Sequence, residues 1–207
     1  MSLLGRIRAG GYDLFMDRMD RAGGEWHRRR LAEKARGEVL EVGAGTGKNL
    51  PLYRAASRVV ALEPDPATRA RALGAAREAR VPAEVVDGDA MALPFGNASF
   101  NTVVFSLVLC TVPDPRRALA EARRVLRPGG DLRFYEHVRA DDLTLARWQD
   151  RLERPWHFLA AGCHPNRDTA AAIRSSPFDV EEVESGRLPK APPIARPLIR
   201  GVARLPA

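Results

Sequence analysis

Val39-Leu40-Glu41-Val42-Gly43-Ala44-Gly45-Thr46-Gly47-Lys48-Asn49 is the stretch that decides the fold. Its first half is an apolar run broken only by Glu41, too short for helical periodicity, and it stops at three glycines spaced by two. That pattern reads as a buried parallel strand running into a ligand-binding turn. Glycine at alternate positions permits positive φ and lets main-chain N–H groups approach a ligand that a Cβ would hold away. Two common glycine motifs are excluded by the residues themselves. A dinucleotide fingerprint needs glycine where Lys48 stands; a P-loop ending in Gly47-Lys48 needs glycine in place of Val42 and Ser or Thr in place of Asn49. An acidic residue followed by x-Gly-x-Gly-x-Gly is what remains.

Outward from this turn, Asn49 and Pro51 predict the capped start of a short helix. Ser57 to Leu62 predicts a second buried strand, closed by Glu63-Pro64, and Asp65-Pro66 caps a helix running to about Arg80. A third strand, Ala83 to Asp87, leads into Gly88-Asp89-Ala90-Met91, and Phe100 to Phe105 makes a fourth. Asp114-Pro115 starts a helix with the apolar stripe Ala118, Leu119, Ala122, Val125 and Leu126, ended by Pro128-Gly129-Gly130 before a fifth strand from Leu132 to His137. Downstream the pattern predicts a helix over 142–161 interrupted by Pro155, another over 168–175, and strands over 178–183 and 197–202. Upstream, residues 3 to about 36 read as helical, with a break at Gly23-Gly24. Alternating strands and helices of these lengths mean a parallel sheet covered on both faces. The organisation expected is a cap of N-terminal helices over 1–36 and a single domain over 37–207.

The chain has 207 residues and a formal charge of +7, and its only lysines are Lys34, Lys48 and Lys190. So much arginine is compatible with nucleic acid, with an anionic membrane surface, or with compositional bias alone. The absence of an aromatic-interleaved basic stripe argues against nucleic acid. Basic residues crowd the first segment, so a peripheral contact of the first helix with anionic membrane is an expectation. Cys110 and Cys163 lie far apart, outside any CxxC or ligand-spaced group, so neither a disulfide framework nor a metal site is expected. Neither a signal peptide nor a bilayer-long apolar run is present, and a cytoplasmic protein is expected.

Taken in order, the Glu41-to-Gly47 pattern, Glu63 and Asp89-Ala90 resemble the cofactor motifs of the class I S-adenosylmethionine-dependent methyltransferases. The resemblance implies an α/β fold: a Rossmann-like, seven-stranded, mostly parallel sheet with helices on both faces and an antiparallel last strand. It also implies S-adenosylmethionine as cofactor. Gly43, Ala44, Gly45, Gly47 and Asn49 would then lie against the methionine tail, with Glu41 ordering the turn and favouring the cationic end. Glu63, with Pro64, would hold the ribose hydroxyls; Asp89, Ala90 and Met91 would hold the adenine; Ser106 joins the set. Tyr12 would lie over the cofactor, or be a core tyrosine. Asn101 stands where these proteins commonly have Asp and is read as structural.

Ser106 to Cys110, Arg123 to Gly130, Glu136-His137-Val138, and Pro155-Trp156-His157 with Gly162-Cys163 narrow the resemblance to small-thiol S-methyltransferases. Those proteins are membrane-associated in animals, whereas no N-terminal membrane helix is expected from the residues of this sequence. A sister group methylates quinones and lipid amines. The implied acceptor is a small apolar molecule in a pocket bounded by Leu109, Cys110, Tyr135, His137, Trp156 and Phe158. His137 is either a general base for the acceptor or a satisfied strand-end histidine. Cys110 reads as a wall residue rather than a nucleophile. A non-catalytic S-adenosylmethionine-binding protein is the alternative of another class.

Overall fold

The computed structural model describes residue 17, residues 20–188 and residues 190–207. Tyr12 and the helix expected upstream of residue 17 lie outside the described residues. Seven strands form one sheet: β1 (Arg36–Val42), β2 (Ala55–Leu62), β3 (Ala83–Val86), β4 (Phe100–Ser106), β5 (Leu126–His137), β6 (Asp179–Arg187) and β7 (Pro197–Arg204). Their order is β3-β2-β1-β4-β5-β7-β6. The first five pair in parallel, and β7 runs antiparallel to both β5 and β6. The chain steps from β1 to β2 and β3 on one side, then returns to place β4 on the other side of β1. A crevice therefore opens at the carboxyl ends of β1 and β4, where Val42 pairs with Phe105.

Among the described residues five helices flank the sheet: α1 (Glu25–Ala32), α2 (Pro66–Arg77), α3 (Pro115–Val125), α4 (Leu143–Leu159) and α5 (Thr169–Arg174). Local chemistry sets where most of them begin. Asp65, Asp114, Asp142 and Asp168 each accept from N–H groups of the first turn that follows, at 2.7–3.2 Å. The stripe Ala118, Leu119, Ala122 and Val125 of α3 packs against Leu40, Phe105 and Phe134 on one face of the sheet. Leu31 and Ala32 of α1, with Tyr53, pack against Val39, Val104 and Tyr135 on the other.

Three local expectations change. Asn49 precedes a 3-10 turn at Leu50–Leu52 but its side chain caps nothing there, being drawn to Glu41 instead. Pro128-Gly129-Gly130 does not separate α3 from β5; it bulges inside β5, where Phe100 pairs with Leu126 but Thr102 with Asp131. Helix α4 runs through Pro155 without a break. The carbonyl that Pro155 leaves without its helical donor belongs to exposed Arg151, where water can reach it.

Helix α4 buries little of itself, only Ala146 and Gln149. Gln149 compensates by polar bonds. It is fully buried, accepts from Ala140 N at 2.8 Å, and its Nε2 faces the carbonyls of Val138, Pro165 and Ile194 at 3.2, 2.8 and 2.9 Å. One side chain thus ties α4 to the end of β5 and to two loops. Arginines fasten other loops: Arg167 donates to the carbonyls of Leu109 and Val112, Arg117 to that of Met91, Arg127 to that of Ala98 and Arg196 to that of Ala191. Gln149→Leu leaves several buried polar groups unpaired and is expected to destabilise the chain by more than about 3 kcal/mol in urea unfolding.

Candidate active site

Gly43, Gly45 and Gly47 all have positive φ, at 66°, 59° and 82°. Two of them do different work. A Cβ on Gly43 would lie 2.6 Å from Val108 Cγ2, so this glycine lets the chain after β4 pack onto the turn. A Cβ on Gly45 would meet nothing within 4 Å, so its backbone faces open space that a ligand can fill. Gly45 N donates to Glu63 Oε2 at 2.9 Å, and Asp65 N to Glu63 Oε1 at 3.0 Å. Burial pushes the Glu63 carboxyl above the usual carboxylate range, against these two N–H bonds. Beyond β3, Asp89 is exposed and accepts from Met91 N at 2.9 Å, while Ala90 beside it is buried.

Behind the turn lies a buried polar chain. Glu41 is 1 % exposed, and Asn49 Nδ2 donates to its Oε1 at 2.7 Å. Glu41 Oε2 has no hydrogen-bond partner of normal geometry among the described residues, although the Tyr53 hydroxyl approaches the carboxyl group. Burial pushes the Glu41 carboxyl up to about 7, against Asn49, Tyr53 and the positive charge of Arg28. Arg28 itself is buried in α1; its Nη1 reaches Asn49 Oδ1 at 3.4 Å and Ser106 Oγ at 3.3 Å, and its Nε pairs with Asp20 Oδ1 at 2.9 Å. Lys48 pairs with Asp20 at 2.9 Å and with Asp17. The segment before β1 is thereby fastened over the glycine turn by charge. Arg28 is a candidate site residue that the sequence reading missed, and it is also lost to the basic surface expected of the first segment. Its spacing of three and four from the inward-facing Leu31 and Ala32 is the signal that finds it.

On the β4 and β5 side, Glu136 is fully buried and accepts from the N–H groups of Val108, Leu109 and Cys110 at 2.9, 3.0 and 3.1 Å. Burial raises its carboxyl, and these three donors oppose the rise. Leu107 takes a φ of 63°, a left-handed conformation unusual for Leu, and its N–H donates to Tyr135 O at 2.7 Å. The loop so held delivers Cys110 to His137: Cys110 Sγ lies 3.9 Å from His137 Nδ1, Cys163 Sγ lies 3.4 Å from the same nitrogen, and the sulfurs are 3.8 Å apart. Cys163 joins from the loop after α4. The bond to Cys163 and burial push the Cys110 thiol up, while the bond to Cys110 holds that of Cys163 down, helped by the Trp156 indole. Ser106 pairs with Tyr135, so His137 stands two residues, about 7 Å, beyond the Ser106 edge.

Trp156 also lines an apolar cavity of about 490 Å³ with Trp148, Leu152, Leu159, Pro193 and Ile194. Of the pocket walls expected from the sequence, Leu109, Cys110 and Tyr135 are buried, and His137 and Trp156 partly exposed. Phe158 is 75 % exposed and walls nothing.

A glycine turn at the β1–β4 crevice, an acidic side chain closing β2, and this strand order together define a class I methyltransferase site. The methyltransferase domain family matches residues 40–134. The chain belongs to the S-adenosylmethionine-dependent methyltransferases. It is 34 % identical over 169 residues to thiol S-methyltransferase TMT1A of Homo sapiens, a match covering 80 % of this chain and 69 % of that protein. It is also 35 % identical over 128 residues to phosphatidylethanolamine N-methyltransferase of Cereibacter sphaeroides, over 58 % of this chain and 63 % of the other. In fold it is similar to an S-adenosylmethionine-dependent methyltransferase of Methanosarcina mazei, with a TM-score of 0.65 at 22 % identity over 82 % of this chain and 92 % of the other. S-adenosylmethionine fits the residues present: the backbone at Gly45 is open, and Glu41 Oε2 is a buried oxygen without a normal partner.

Glu41 binds its proton more tightly folded than unfolded, so its contribution to stability is fully present below about pH 4.5 and is lost as pH rises through about 7. Glu41→Gln keeps the shape without the charge. It is expected to flatten that dependence and raise stability above neutral pH by up to roughly 3 kcal/mol, measured by urea unfolding on both sides of the transition.

Proposed function

We propose that the chain transfers the methyl group of S-adenosylmethionine to the sulfur of a small apolar thiol. The observation that carries this reading is the apolar cavity lined in part by Trp156, whose indole adjoins the Cys163 thiol beside His137. The 34 % identity to a thiol S-methyltransferase supports the same acceptor. When bound, S-adenosylmethionine supplies an electrophilic methyl carbon on a sulfonium whose leaving group is neutral. What is left to the protein is alignment and the exclusion of water. In this reading the glycine turn and Arg28 hold the methionine tail, Glu63 the ribose hydroxyls, and Asp89, Ala90 and Met91 the adenine. The apolar wall of the cavity admits a hydrophobic acceptor and keeps it dry. Thiols ionise near neutral pH with modest help, which suits a strand edge whose nearest imidazole has its Nδ1 turned to two sulfurs.

The similarity to a phosphatidylethanolamine N-methyltransferase favours a lipid amine as second reading. Initial rates on an alkyl thiol, a demethylated quinol and phosphatidylethanolamine vesicles separate these acceptors; the thiol is expected to be fastest, and a thiol slowest of the three removes the assignment. Silence across all three would leave a non-catalytic binder. Calorimetry with S-adenosylhomocysteine should record Glu63→Ala weakening binding by roughly 1.5–3 kcal/mol through loss of charge-assisted hydrogen bonds.

A further inference from the structure

Cys110, His137 and Cys163 come from three separate segments, yet their Sγ, Nδ1 and Sγ atoms all lie within 4.8 Å of one another. The triangle has a particular size. A tetrahedral zinc ion with bonds of about 2.3 Å to sulfur and about 2.0–2.1 Å to nitrogen sets its ligand sulfurs about 3.8 Å apart and each sulfur about 3.6 Å from the nitrogen. The sulfurs here are 3.8 Å apart, and the sulfur–nitrogen distances are 3.4 and 3.9 Å. Movements of a few tenths of an ångström bring all three onto one ion. The backbone around the donors is already fixed: Cys110 N donates to Glu136 and Cys110 O accepts from His164 N at 2.8 Å, Cys163 N donates to Ala160 O at 3.1 Å, and His137 O accepts from Thr169 Oγ1 at 3.2 Å. Charge suits the ion as well, since two thiolates neutralise a divalent cation.

We propose that Cys110, His137 and Cys163 form a site for a thiophilic divalent cation, zinc above all, whose fourth position takes the acceptor thiol. Among the described residues no fourth His, Cys, Asp or Glu joins the three, which is the pattern of sites that keep an exchangeable position. Trp156, one of the residues that line the apolar cavity, has its indole beside the Cys163 thiol. The fourth ligand rests on the proposed thiol reaction; the three protein ligands do not. On coordination the acceptor S–H releases its proton to solvent. In the transfer its sulfur gives an electron pair to the methyl carbon, and the methyl–sulfonium bond breaks with its pair passing to the sulfur of the departing S-adenosylhomocysteine. In this arrangement the metal ionises the acceptor and the imidazole of His137 is a ligand rather than a base.

Cobalt(II) is the probe. Titrated into the reduced, chelator-treated protein, it is expected to bind in one equivalent with an intense thiolate-to-cobalt charge-transfer band. Cys110→Ser, Cys163→Ser and His137→Ala are each expected to weaken binding by more than about tenfold, with calorimetric binding of S-adenosylhomocysteine reporting that each variant is folded. The neighbouring Glu153, His157 and His164 group supplies the control. Cobalt held without a charge-transfer band, or lost on His157→Ala and retained on Cys110→Ser, overturns the site. Should the cysteine variants fail to fold, zinc release from the wild type by a thiol-specific mercurial decides instead: release at two equivalents is expected, and release before any thiol reacts overturns it. Addition of propanethiol without S-adenosylmethionine should shift the cobalt spectrum, and an unchanged spectrum removes the fourth-ligand assignment. Thiol methylation without metal binding would overturn this inference alone, whereas metal binding with methylation of the quinol alone would overturn the proposed acceptor and leave the site standing.

Discussion

The carboxylate of Glu136 takes three successive backbone N–H groups in the interior, and much of the site hangs from that bond set. Three donors on one buried carboxylate leave residues 108–110 almost no freedom. With the loop so placed, Val108 lies where only a glycine at position 43 can face it, and the glycine turn takes its shape against β4. The same constraint turns the Cys110 thiol toward His137, one residue beyond Glu136 itself. Losing the carboxylate would expose both halves of the site to disorder at once, because they share one anchor.

What was legible in the sequence is what local chemistry determines. The Val-rich runs could only be buried strands, the Asp residues ahead of helices could only be caps, and the glycine triplet after β1 could only be a turn with close backbone contacts. Asp65-Pro66 and Asp114-Pro115 landed where such pairs belong, and the alternation of elements fixed a parallel sheet before any register was known. Side chains whose role depends on distant partners were not legible. Glu136 looked like a strand-end acid beside a candidate base, and nothing in its neighbours says that it serves a loop 26–28 residues upstream. Cys110 and Cys163 lack ligand spacing because the fold supplies the proximity that spacing supplies in a short motif. Gln149 and Arg28 were hidden by their surroundings, a polar residue on a surface helix and one arginine in a run of three.

The two ends of the site are built from different material. The cofactor side is backbone and short side chains on the sheet's own strand ends, where small displacements are resisted by the core on both faces. The proposed acceptor side is α4 with the loop around Pro193, held to the sheet mainly by Gln149 and presenting large apolar side chains outward. The first arrangement suits a ligand that is always the same molecule; the second tolerates changes in size and shape.

Several of the chain's arginines act within the molecule. Arg117, Arg127, Arg167 and Arg196 hold loops through neutral carbonyl oxygens, so these bonds tighten the molecule without neutralising a positive charge. Such bonds are less exposed to screening by salt than ion pairs of the same reach. They also leave every copy of the chain with like charge at its loops. Cohesion within one molecule and repulsion between molecules are therefore supplied by the same guanidinium groups, and crowded solutions of the chain are kept dispersed by the contacts that keep each copy folded.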